Sequence, residues 1–198
     1  MATQNWQDTS HSGLDVSQFI ERLTVVTIGV FDSGVGGLSI LDEALQQLPH
    51  HNYIYFADSA NAPYGDKPPQ WIAERSLQIC RYLVEQDCSA IVVACNTATA
   101  EAIATIRSTL DIPIIGVEPG IKPAAMQSQN GIVGVLATEA TLNSDKFNAL
   151  LATLPEHCQF IKQAGAGLVP LIEAGLIETP EMQALLRSHL KPILDQGA

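Results

Sequence analysis

Short apolar runs that break off into polar or glycine residues, each followed by a helical pattern, constrain this chain more than any other feature. Val25–Phe31 is rich in β-branched residues and ends at Asp32-Ser33-Gly34-Val35-Gly36-Gly37, after which Leu38-Ser39-Ile40-Leu41 opens an amphipathic helix to about Leu48. Tyr53–Ala57 reads as a second strand ending at Asp58, and residues 70–87 carry helical spacing with Ile72, Leu77, Ile79, Tyr82 and Leu83 as core candidates. Ala90–Ala94 is a wholly apolar run, too short for a helix, that leads into Cys95-Asn96-Thr97 and a helix to about Leu110. Pro113–Val117 is a fourth strand closed by Glu118-Pro119-Gly120. A second series begins at Gly131–Ala137 and runs through Thr138-Glu139-Ala140-Thr141 into a helix through Lys146 to Leu154. It continues with a strand over 157–163 and helices over 167–176 and 179–196. This alternation predicts an α/β protein of two similar lobes, residues 23–118 and 119–198, each with a mostly parallel sheet flanked by helices and with a cleft between their strand ends. Residues 1–22 are polar and read as a loosely ordered extension.

The bulk charge narrows the partners. A net charge of −11 with ten Lys and Arg scattered singly argues against nucleic acid and against an anionic membrane surface. No apolar run is long enough for a transmembrane helix, and residues 1–22 lack the apolar centre of a secretion signal. The four cysteines, Cys80, Cys88, Cys95 and Cys158, form no CxxC pair and have no histidine at zinc-ligand spacing, so no metal site is expected and free thiols in a reducing cytoplasm are. Cys80 in a helical stretch and Cys158 in a strand read as core residues, and Cys88 sits at a helix-to-strand junction.

Chemistry concentrates at the strand exits, where open α/β sheets bind ligands. Cys95 falls at one such exit with a helix start beside it, a setting that lowers a thiol pKa below its ordinary value of about 8.5. A small buried core cysteine is the other reading of the same position. Asp32 ends the first strand; it suits orienting a proton-transfer group or holding an ammonium, and equally capping the helix that follows. The Gly34–Ser39 turn lacks the last glycine of the dinucleotide fingerprint and no Gly-Lys-Ser/Thr follows, which disfavours nucleotide binding. What remains is a bare-backbone turn at a helix N-terminus, suited to a small carboxylate. Residues 59–69 form a long turn-rich loop at the same edge, either a connector or a binding loop.

Four ordered motifs resemble those of the glutamate racemase family within the wider aspartate/glutamate racemase superfamily. They are Gly29–Gly37, Asp58 with Pro63-Tyr64-Gly65, Ala94-Cys95-Asn96-Thr97-Ala98, and Ala137-Thr138 with Thr141 and Ser144. The resemblance implies a cofactor-independent racemase supplying D-glutamate for peptidoglycan, with no metal, a glutamate substrate, and a homodimer left open. It implies that Cys95 is one of two thiols acting on opposite faces of the α-carbon, that Asp32 assists it and contacts substrate, and that Ser33, Tyr64, Gly65, Asn96, Thr97 and Thr138 bind the amino acid. It also implies a second cysteine in a Gly-Cys-Thr-His-Tyr-Pro motif followed by a final strand and helices of the first lobe. That motif is absent from the sequence, and Glu156-His157-Cys158-Gln159 does not replace it, so the chain is expected to racemize poorly or not at all. Aspartate racemization and a non-catalytic amino-acid-binding protein on the same scaffold stay open.

The residues support that chemistry independently. Racemization without a cofactor needs weakly acidic groups on both faces of the carbon, and thiols can be poised for it. The motif loops hold no arginine, so substrate carboxylates are expected to be held by backbone N–H groups and by Ser33, Asn96 and Thr97.

Overall fold

The computed structural model describes residues 25–198, so the expected extension over 1–22 lies outside the described residues. The first half of the chain alternates strand and helix: β1 Thr27–Asp32, α1 Leu38–Gln47, β2 Asn52–Ala57, α2 Pro69–Glu85, β3 Cys88–Val93, α3 Asn96–Thr109 and β4 Ile114–Gly116. Two 3₁₀ turns, Ser59–Asn61 and Tyr64–Asp66, order the loop between β2 and α2. Then come α4 Ile121–Gln127, β5 Ile132–Ala137, α5 Glu139–Asn143, α6 Asp145–Leu151, β6 Gln159–Ala164, α7 Leu168–Glu173 and α8 Pro180–Leu194.

Every strand pairing is parallel, as βαβ connections require. One sheet has the order β2-β1-β3-β4 and the other pairs β5 with β6. In the larger sheet Phe31 stands between Phe56 and Val93, so β1 and β3 end side by side and deliver Asp32 and Cys95 to the same edge. β1 is central and covered on both faces: Val30 and Phe31 are wholly buried. Helix α2 lays Ile72, Ile79 and Leu83 on the sheet, and α3 adds Ala98, Ala102 and Ile106, all buried at helical spacing. In the smaller unit Val133, Val135, Leu142 and Phe147 form a second core.

Several sequence expectations need correction. Tyr82 is not core: it lies at the edge of the α2 stripe, is 46 % exposed and meets Phe56 edge-on. Leu77 is only partly buried. The single helix expected through Lys146 is two, α5 and α6, broken at Ser144. That residue takes extended backbone angles, and its hydroxyl accepts the Phe147 N–H at 3.1 Å, capping α6. Helix α4 was not anticipated: Pro123 interrupts its pattern, although Ile121 and Ala125 are buried one turn apart. Cys158 stands before β6 rather than in it, half-buried, while Cys80 and Cys88 are core residues. Among the described residues no helix is long and apolar enough to cross a membrane.

Candidate active site

A cleft of about 340 Å³ opens where β1, β3 and β5 end. Six predicted residues line it: Asp32, Ser33, Cys95, Asn96, Thr97 and Thr138. Its far wall is α7, which contributes Val169, Ile172 and Glu173.

Cys95 has extended backbone angles and is the N-cap of α3; its sulfur accepts the Ala98 N–H at 3.4 Å. Its thiol donates to Ser33 Oγ at 3.5 Å. The Cys95 residue is 5 % exposed and lines the cleft, so it is packed as well as placed at a strand exit. The expected lowering of its pKa is overturned. Burial pushes the thiol above its ordinary value and the Asp32 charge adds to this, while Ser33 and the Ala98 N–H work in the other direction. Loss of water around the sulfur outweighs one long N–H contact at the helix start.

Asp32 is held by the turn that follows it. It is 6 % exposed and lines the cleft, and its Oδ2 accepts the Gly37 N–H at 2.9 Å and the Gly34 N–H at 3.3 Å, shaping the turn before α1. Two amides of the turn expected to hold a ligand are therefore taken by Asp32. A third, Val35 N–H, donates to the Glu173 carboxylate at 2.9 Å. Glu173 and Thr141 line the cleft and were not singled out as site residues from the sequence. A lone glutamate on an amphipathic helix reads as a solvated side chain, and only the fold carries it across the cleft.

Thr97 on α3 and Thr138 and Thr141 around α5 join hydroxyls in a triangle of 3.0, 3.3 and 2.9 Å. This cluster ties the larger sheet's edge to the smaller unit. Each hydroxyl has one proton and two lone pairs, so three hydroxyls can satisfy one another and still offer acceptors to a ligand ammonium. Asn96 beside them is exposed to the cleft.

Tyr64 and Gly65 do not line this cleft. Tyr64 is 1 % exposed; its ring packs edge-on against Trp71 and tilted against Phe31, and its hydroxyl donates to Asp58 at 2.6 Å. Asp58 also accepts Arg75 Nε at 2.8 Å and Nη2 at 2.7 Å, together with the Asn61 amide at 3.0 Å. Burial pushes the Asp58 carboxyl up, but the hydrogen bonds from Arg75, Tyr64 and Asn61 and the Arg75 charge outweigh it and hold it below the usual carboxylate value. The Tyr64 side chain is thereby a brace of the 58–66 loop. Gly65 is pressed against the cleft from behind, since a Cβ there would lie 2.8 Å from Thr138 Cβ. Thr138 is held by Thr97 and Thr141 and cannot give freely, so Gly65→Ala is expected to lower stability by about 1–3 kcal/mol, read by thermal denaturation. A variant as stable as the parent would mean that the loop shifts without cost.

Most of the described region matches known proteins. The family model for Asp/Glu/hydantoin racemases covers residues 28–198. Glutamate racemases of Ralstonia pickettii and Cupriavidus pinatubonensis are 53 % and 55 % identical over 171 residues, which is 86 % of this chain and 61 % and 63 % of theirs. The chain thus spans about three-fifths of the length of these curated relatives. Among solved structures, Escherichia coli glutamate racemase in complex with L-glutamate and the activator UDP-MurNAc-Ala is 40 % identical with a TM-score of 0.78, covering 85 % of this chain and 64 % of that one. Francisella tularensis glutamate racemase in complex with D-glutamate is 31 % identical with a TM-score of 0.75, covering 87 % and 65 %. With its parallel sheets, its cysteine at the tip of β3 and a family match that runs through every described element from β1 onward, the chain belongs to the Asp/Glu/hydantoin racemase family.

Proposed function

We propose that the cleft binds glutamate and that Cys95 is the first of the two thiols by which a glutamate racemase moves the α-proton, the reaction that supplies D-glutamate for peptidoglycan; with this one thiol the 198-residue sequence exchanges the proton on one face and inverts glutamate poorly. One observation carries this reading: the Cys95 sulfur stands at the rim of a cleft beside Asp32 and Ser33, facing uncharged hydrogen-bonding groups at Asn96, Thr97 and Thr138.

In this reading Cys95 moves the α-proton on one face. A thiol raised above its ordinary pKa rests protonated at neutral pH, ready to return a proton to a carbanion. A substrate ammonium entering beside the sulfur would oppose the Asp32 charge and favour the thiolate, so binding itself would generate the base. Asn96, Thr97 and Thr138 would orient the amino acid, and Asp32 would keep the turn and the sulfur in register. Tyr64 and Gly65 would act from behind, by seating Thr138. The two units over 23–118 and 119–198 would act as lobes closing on the substrate. The four free thiols support a reducing, cytoplasmic setting.

The test is calorimetric titration of the 198-residue chain with L- and D-glutamate and L- and D-aspartate, followed by chiral analysis of each mixture. Glutamate is expected to bind more tightly than aspartate. Tighter aspartate binding would move the substrate to the shorter acid, and no binding of either would refute an acidic amino acid in this cleft.

A further inference from the structure

Tyr55 lies on β2, opposite Val30 of β1, and belongs to none of the motifs that identify the family. Its hydroxyl donates to the Gly34 carbonyl at 2.8 Å. The same peptide unit carries the Val35 N–H, which donates to Glu173 at 2.9 Å. In a trans peptide the C=O and N–H point in opposite directions, so a bond to the oxygen decides where the hydrogen aims. Here it aims at Glu173, a residue of the cleft wall. Gly34 has no Cβ, and rotation of this peptide meets little steric resistance, so its direction needs an external hold. The neighbouring amides of Gly34 and Gly37 are directed by Asp32. The occupant of the Val35 N–H is itself a carboxylate, the group that a glutamate ligand would offer in its place.

We infer that Tyr55 is a positioning residue for glutamate: by holding the Gly34 carbonyl, it aims the Val35 N–H at a carboxylate of the ligand, which displaces Glu173. The inference rests on the reading that this cleft takes glutamate. Burial and then the charges of Asp32, Glu173 and Cys95 push the Tyr55 hydroxyl above its ordinary value, so it is a donor at neutral pH.

Tyr55→Phe keeps the ring and removes the hydroxyl. Amide hydrogen exchange followed by NMR is expected to quicken at Val35 by about 10-fold or more, while the Gly37 amide, held by Asp32, is unchanged. Titration is expected to give glutamate binding weakened about 5- to 10-fold, the equivalent of one hydrogen bond. The same variant is titrated with glutamine and with isoglutamine, which lack the side-chain and the α-carboxylate respectively. One of the two is expected to bind wild type and variant equally, because it lacks the carboxylate that the Val35 N–H serves. Unchanged exchange at Val35 overturns the inference. So does an equal loss for all three ligands, which would mean general loosening rather than aim. Failure of the wild-type chain to bind glutamate would sink the glutamate reading alone, and the exchange comparison would still decide whether Tyr55 aims the peptide.

Discussion

In D₂O, Cys95→Ala is expected to slow exchange of the glutamate α-proton by about 10²- to 10⁴-fold, the usual contribution of a positioned acid–base group. The measurement is loss of the α-proton NMR signal for each enantiomer separately. A single thiol works on one face, so exchange by the 198-residue chain should favour one enantiomer and proceed with little inversion. Cys80→Ala is the control, since that thiol is on the buried face of α2, where burial alone lifts it to about 12. The sign of the pH dependence follows from the environment of Cys95. Its thiol is raised above the ordinary value by burial and by Asp32, so the thiolate fraction still climbs through the neutral range. Exchange should therefore rise about tenfold per pH unit from 7 to 8. An exchange rate equal in Cys95→Ala and wild type would remove the thiol from the mechanism, whatever the fate of the binding site.

Arg75→Ala should be the most damaging change away from the cleft, costing about 3 kcal/mol at neutral pH. Asp58 is 4 % exposed, and Arg75 engages both of its oxygens. Without the guanidinium, a buried carboxylate keeps only the Tyr64 hydroxyl and the Asn61 amide among the contacts described above. For a chain of this size the loss corresponds to a fall in Tm of about 6–12 °C. The Asp58 carboxyl is held below its ordinary value in the folded state. Its contribution is therefore complete above the unfolded-state value and lost as pH falls through the folded one. The gap in Tm between wild type and Arg75→Ala should be widest near pH 7 and narrow below about pH 4. A gap that stayed constant into acid would assign the loss to packing of the arginine stem instead. The same substitution should reach the site indirectly, because the loop that Asp58 braces is the one that presses Gly65 against Thr138.

The alternation of apolar runs and helical patterns was legible residue by residue, because a parallel strand buried on both faces writes itself as a short continuous apolar stretch. β1 is such a strand, while β2, β3 and β5 keep apolar runs although parts of them are exposed; all four lie within about two residues of the ends read from the sequence. Helix breaks were less legible: Ser144 caps α6 through its own hydroxyl, a choice that depends on where Phe147 must bury. Helix α4 was hidden by a proline that its first turn tolerates. At the site, residues directly after strands were readable, since sheet topology alone places Asp32 and Cys95 together.

By itself, then, the order of residues determined a parallel α/β chain with a thiol and a carboxylate at neighbouring strand tips. It did so because hydrophobic period and turn chemistry are local properties. Tertiary structure alone decided which way the Cys95 pKa moves, that Tyr64 faces inward to Asp58, and that Tyr55 and Glu173 meet the two ends of one peptide. Those outcomes depend on solvent exclusion and on hydrogen bonds between residues as much as 138 positions apart, and no local pattern encodes either.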